Sequence, residues 1–136
     1  MPSVPELLAP AGSPEALKAA FAAGADAVYP GEKSFGARRY AANFDREELG
    51  QAVLYAHKNG VKVYVTVNTL ATDSELPGIA EYLIFLSEIV VDAVLIQDQG
   101  ILSIAREVTP DLPLHASTQL TIHNTAAIRF AAEHGI

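Results

Sequence analysis

Apolar residues in this chain fall into short unbroken runs separated by longer stretches with helical spacing. The clearest run is Ala93–Ile96, inside VDAVLIQDQG at residues 91–100, which stops abruptly at Gln97-Asp98. So short a run with no polar break predicts a strand buried on both faces, as in a parallel sheet covered by helices. The same phrase occurs earlier as GADAVYPG at 24–31, and a third version, GVKVYVTVN, occupies 60–68. Each follows a helix-like stretch and ends in a polar or glycine-containing loop. The pattern is a repeated βα unit.

Taken in order, a first strand is expected over 6–9, ended by Pro10-Ala11-Gly12. Ser13-Pro14-Glu15 has the composition of a helix start: an N-cap serine, proline at the first helical position and an acid in the first turn. That helix should end at Gly24, a left-handed cap. Ala27–Tyr29 is the second strand, followed by a long polar loop over 30–44. Asp45-Arg46-Glu47-Glu48 matches a capping box, and the helix it opens should run to about Asn59, with Gly60 as cap. Lys62–Val67 is the third strand, in which Val63, Val65 and Val67 alternate with Tyr64 and Thr66. A cap region at Asp73-Ser74-Glu75 leads into a third helix, because Pro77 is tolerable only in a first turn. Its apolar positions 79, 83, 86 and 90 follow helical spacing. Val90 stands where Gly24 and Gly60 predict a cap glycine, which leaves the end of this helix open. A fourth helix is expected over Gln99–Val108, stopped by Thr109-Pro110, a fifth strand over Leu114–Ala116, and a fifth helix from Asn124 to His134 with Gly135 as its cap.

Five βα units with short connections predict an α/β fold of parallel strands with right-handed crossovers. An eight-fold TIM-type barrel takes about 250 residues. At 136 residues the chain is expected to be one domain, the amino-terminal part of such a barrel, truncated after about five units. The outer strands would have bare edges, so self-association through the open sheet is expected.

Composition narrows the function. The 9 basic and 16 acidic residues give a net charge of −7, which argues against a broad nucleic-acid face on this chain alone. A local basic spot remains at Lys33, Arg38 and Arg39. There is no cysteine, hence no disulfide, thiolate nucleophile or Cys-ligated metal in this chain. No signal peptide and no membrane-spanning run are read, so a cytoplasmic enzyme is the expectation.

Polar residues collect just after the strands: Asn68 after the third, Gln97 and Asp98 after the fourth, and His115, Ser117, Thr118 and Gln119 at the fifth. In a barrel that end of the strands is the functional face. Each residue also has a plainer reading. Asp98 can be the N-cap of the fourth helix, Asn68 can hold its own loop by an Asx turn, and His115 can be a hydrogen-bonded structural residue. His57 and His134 read as helix-dipole partners. Gly36-Ala37-Arg38 fits either a phosphate contact through Arg38 or plain turn chemistry. HExxH, GxSxG, a Walker loop and GxGxxG after the first strand are all absent. The spacing of His115 and Ser117 does not by itself make a nucleophile–base pair.

The linked phrases PELLAPAGSPEALKAAFAAGADAVYPG, FGAR, VYVTVNTL, DAVLIQDQGIL and LHASTQ resemble, in order and over essentially the whole chain, the amino-terminal region of the U32 family. Its members carry the label U32 peptidase or collagenase-like protease. FGAR, VTVNTL, VLIQDQGIL and HASTQ look most similar to the branch that hydroxylates a cytidine of ribosomal RNA. Sister branches hydroxylate a transfer-RNA uridine or act in oxygen-independent ubiquinone synthesis. The resemblance implies an enzyme of RNA base hydroxylation in the full-length protein, with RNA and a small molecule as partners. It also implies an iron–sulfur cluster held by a cysteine-rich stretch downstream, none of whose ligands lies in this chain. On this reading His115, Asp98 and Asn68 are the catalytic candidates, and Arg38, Gln97, Ser117 and Gln119 contact substrate. Two other readings stay open: a peptidase, as the family label says, and a non-catalytic barrel piece.

Overall fold

The structure, a computed structural model, describes residues 4–31 and 44–136. Five parallel strands lie in sequence order in one sheet: β1 (Leu8–Pro10), β2 (Ala27–Tyr29), β3 (Lys62–Val67), β4 (Ala93–Ile96) and β5 (Leu114–Ala116). The helices between and after them are α1 (Pro14–Ala22), α2 (Arg46–Lys58), α3 (Leu76–Glu88), α4 (Gln99–Val108) and α5 (Thr125–Glu133). The repeated βα reading therefore holds as a parallel α/β fold. The first strand starts later than expected, at Leu8 rather than 6, and includes Pro10, whose missing N–H is tolerated on an edge strand. A 3₁₀ turn at Thr118–Leu120, not anticipated, follows β5.

Helix starts follow their capping chemistry. Ser13 accepts from the Ala16 amide at 3.2 Å, Asp45 and Glu48 form the reciprocal capping box, and Asn124 accepts from Ala127 at 2.9 Å. The cap expected for α3 is not made. Glu75 occupies the cap position, but its carboxylate turns back to the Thr72 amide and hydroxyl, each at 2.8 Å.

The two faces of the sheet are unequal. Val28, Val63, Val65, Val67, Val94 and Ile96 pack against Leu17, Leu49, Val53, Ile79, Leu83, Leu86 and Ile101 of the helices, all buried. Each fully buried aliphatic side chain contributes roughly 1.5–3 kcal/mol, so this layer carries most of the stabilisation. On the other, inner face the buried apolar cluster among the described residues is just Ala27, Tyr64 and Ala93, with Tyr29 and Leu95 against them. Of the α3 stripe, 79, 83 and 86 are core, but Val90 is 67% exposed, and Tyr82 is buried in its stead.

Three of the four helix-to-strand corners turn through a left-handed residue, Gly24 (φ 82°), Gly60 (φ 70°) and Val90 (φ 60°), whereas α4 ends at Thr109 with φ −140°. Val90 thus takes the glycine conformation without being glycine, which explains both its exposure and the regular end of α3. Two of these corners carry the same clamp. The Asp26 amide donates to the Leu7 carbonyl at 2.9 Å, and its carboxylate accepts from the Leu7 amide at 2.7 Å. Asp92 repeats this with Val63, at 2.9 and 2.7 Å, and also meets His57 Nε2 at 2.9 Å. The aspartate of the repeated phrase ties the start of one strand to the strand before it.

Candidate functional site

Side chains alternate across a strand, and the register shows which side each candidate takes. Tyr64 pairs with Ala93, Thr66 with Leu95 and Leu95 with His115. These positions lie on the inner face, and the same alternation carries Asn68 and Gln97 to that face just beyond the strand ends. Asp98, one residue later, turns the other way. Its Oδ1 accepts from the Ile101 amide at 2.9 Å as the N-cap of α4, and its Oδ2 accepts from the Ala71 amide at 3.2 Å. The Gln97-Asp98 pair thus divides: Gln97 stays with the site, while Asp98 fixes the loop after β3 against the start of α4.

Asn68 and Ser117 meet across the end of β4, with Nδ2 donating to Oγ at 3.5 Å. Ser117 is buried; its amide donates to the Ile96 carbonyl at 2.8 Å, and its Oγ accepts weakly from the Gln119 amide at 3.4 Å. Gln97 is half-buried, and His115 and Gln119 are exposed. Among the described residues no side-chain hydrogen bond engages Gln97 or the His115 ring. The arrangement gathers Asn68, Ser117 and Gln97 around one strand end, with His115 lower on the inner face and Gln119 at the rim. Such a group can hold a flat polar ligand by hydrogen bonds. It has no nucleophile–base pair, because Ser117 Oγ engages Asn68 and Gln119 rather than His115. Arg38 lies outside the described residues, as do Lys33 and Arg39. The Phe44 amide donates to the Gly31 carbonyl at 3.3 Å, and Gly31 bridges to Thr66. Both ends of the segment that carries Arg38 are therefore anchored at the carboxyl end of the sheet.

Sequence reasoning missed a second polar group on the inner face. Glu6 receives a hydrogen bond from the Tyr64 hydroxyl at 2.7 Å and pairs with Lys62 Nζ at 2.8 Å. The Lys62 bond, then the Tyr64 bond, hold the Glu6 carboxyl below its ordinary value of 4.5. Glu6 in turn holds Lys62 above 10.5. Burial, then the Glu6 bond, push the Tyr64 phenol above 10.0, so it remains a donor at neutral pH. The Tyr64 ring stands edge-to-face with His115, centroids 4.9 Å apart at 66°. The available signal was the alternation of Tyr64 with three valines, which sets a large polar-tipped residue on the face opposite the helices.

Two clefts among the described residues lie elsewhere. One, lined by Leu17, Phe44, Ala52 and Tyr55, runs between α1 and α2; the other, lined by Leu102, Arg106 and Phe130, runs between α4 and α5. Both are grooves between neighbouring helices on the outer surface, away from the convergent polar groups, so the strand-end cluster is the better candidate. Among the described residues no group of three or more His, Asp or Glu is arranged to hold a metal ion. No helix there is long and apolar enough to cross a membrane.

The sequence profile of peptidase family U32 matches residues 12–136. The tRNA hydroxylation protein P1 of Bacillus subtilis is 41% identical over 132 residues, covering 97% of this chain and 31% of that protein. The 23S rRNA 5-hydroxycytidine C2501 synthase of Escherichia coli is 38% identical over 130 residues, covering 96% of this chain and 19% of that protein. Identities of 41% and 38% do not separate the transfer-RNA from the ribosomal-RNA branch. The chain spans a third or less of the length of these relatives. The solved structure of the U32 peptidase Mk0906 superposes with a TM-score of 0.75 over 99% of this chain and 57% of that one, at 16% identity, a likeness of fold.

Proposed function

The chain belongs to peptidase family U32, and on that footing we propose that it is the amino-terminal part of a (β/α)-barrel enzyme that hydroxylates a base of RNA. The observation that carries this reading is 41% identity, along 97% of the chain, to a relative named for RNA hydroxylation. The site suits that substrate. Asn68, Gln97 and Gln119 present the paired donors and acceptors that read a base edge. His115 is the group available for proton transfer, and Arg38 serves a phosphate. Asp98 acts through the loop it holds rather than by touching substrate. The net charge of −7 places the broad electrostatic grip on RNA outside these residues.

Hydroxylation removes electrons from the base, a task that an iron–sulfur cluster supports when bound. This chain has no cysteine and does not fit such a cluster, so the thiolates belong to another part of the full-length protein. Strands beyond β5 complete the barrel there, in the cytoplasm where its RNA is found. The isolated chain covers its β1 and β5 edges by self-association.

The test is mass spectrometry of RNA nucleosides from a strain lacking the gene. One hydroxylated nucleoside should disappear, return with the wild-type gene, and stay absent with His115→Ala or Asn68→Ala. An unchanged nucleoside profile, with peptide cleavage by the purified full-length protein, would replace this reading with the peptidase one.

A further inference from the structure

We infer that Tyr64 is a positioning residue for His115: held by Glu6 and Lys62, its ring fixes the imidazole on the inner face at the candidate site. This rests on the site reading above and adds a residue to it. His115 is exposed on a three-residue strand, and no hydrogen bond among the described residues fixes its ring nitrogens. An unrestrained histidine there would sample several rotamers. The contact that selects one is the edge-to-face approach to Tyr64 at 4.9 Å.

Tyr64 is suited to this because it cannot itself move freely. It is 7% exposed, its hydroxyl is bound to Glu6 at 2.7 Å, and Glu6 is bound to Lys62 at 2.8 Å. The register explains how β3 reaches β5. Tyr64 pairs with Ala93 on the intervening strand, and that alanine leaves room above β4 for the two rings to meet. A larger residue at 93 would stand between them. The contacts run Lys62–Glu6–Tyr64–His115, from the amino end of the sheet up to the site.

The test has two readouts. In NMR of the chain, the ring protons of His115 should be displaced by the Tyr64 ring current relative to His123, which is also exposed. Tyr64→Phe, which keeps the ring but loses its bond to Glu6, should keep most but not all of that displacement, and Tyr64→Leu should abolish it; Tyr64→Val replaces Leu should that variant not fold. In the full-length protein, Tyr64→Leu should lower kcat for RNA hydroxylation by about tenfold to a hundredfold with little change in KM, the signature of a misplaced catalytic group. Tyr64→Phe should restore most of it. His115 signals unmoved by loss of the ring would overturn the inference, and so would wild-type turnover in Tyr64→Leu. If the wild-type protein hydroxylates no RNA, the proposed reaction falls, while the ring displacement still decides the positioning role.

Discussion

The two ends of the same five strands are built differently. At the amino ends, polar side chains close on one another or on backbone: Asp26 on Leu7, Asp92 on Val63 and His57, Glu6 on Lys62 and Tyr64. At the carboxyl ends, Gln97 and Gln119 make no side-chain hydrogen bond among the described residues, and just below them the His115 ring makes none either, its one side-chain contact there being the edge-to-face approach to Tyr64. A half-buried polar group without a partner is unfavourable, which singles out Gln97, whereas His115 and Gln119 are exposed and water serves them. The amino rim is satisfied within the chain; the carboxyl rim is the one the proposed site uses.

The sharpest way to break this contrast is to exchange the consequences. In the full-length protein His115→Ala and Asn68→Ala should lower RNA hydroxylation by roughly a hundredfold or more, with the denaturation midpoint nearly unchanged. Asp98→Ala should differ in kind. It loses an N-cap worth about 1 kcal/mol as well as the tie to Ala71, so stability and activity should fall together. Paired urea titrations and nucleoside assays check this, and a stable, fully active Asp98→Ala would remove Asp98 from both roles.

At the other rim the effect should appear in stability alone. Asp92→Ala leaves the amide of fully buried Val63 without its acceptor and should lower stability by roughly 1–3 kcal/mol. Asp26→Ala should sit at the low end of that range, because Leu7 is 52% exposed and water replaces the carboxylate. Equal losses in the two variants would mean that the clamp acts through the corner rather than through the amide it satisfies.

The contrast was partly legible in the sequence. Short apolar runs, capping residues and corner glycines are local signals, and among the described residues they located every strand and α-helix to within a few residues, though not the 3₁₀ turn at Thr118–Leu120. They also brought Asn68, Gln97, His115, Ser117 and Gln119 to one end, because a parallel βα repeat puts every strand's carboxyl terminus on the same side. Which face each side chain takes is a matter of register, and there the reading stopped short. Gln97 and Asp98 are adjacent and so point apart, and of the two readings open to Asp98 the structure makes the N-cap one. Glu6 and Tyr64, 58 residues apart in the chain, meet only through the β1–β2–β3 pairing. The repeated aspartate of the GAD and VVD phrases is visible in the sequence, but its clamp on the preceding strand is not a local signal.

A smaller effect probes the link between the rims. The Glu6 carboxyl lies below its ordinary value of 4.5, so its contribution is present above that pH and is lost as pH falls through the folded-state value. Lys62, held above 10.5, contributes below that pH and loses its contribution as pH rises past it. The pair is therefore complete across neutral pH, and both partners are solvent-accessible, which keeps its contribution slight. Between about pH 5 and about pH 3 the wild-type melting temperature should decline slightly faster than that of Glu6→Gln. Parallel curves would show that the carboxylate charge contributes nothing to the fold.

The last test sits inside the amino rim, at its corners. Gly24, Gly60 and Val90 all adopt positive φ, yet a β-branched residue pays a steric penalty there of about 1–2 kcal/mol that glycine avoids. Replacing Val90 by glycine relieves that strain but adds unfolded-state freedom worth roughly 0.5–1 kcal/mol. Little packing is lost, since Val90 is 67% exposed. The net should be a gain of about 0.5–1 kcal/mol by urea denaturation, and Gly24→Val should lose a similar amount at the equivalent corner. If Val90→Gly were instead destabilising, the valine side chain would be making a contact that outweighs its strain, and the equivalence of the two corners would fail at that residue.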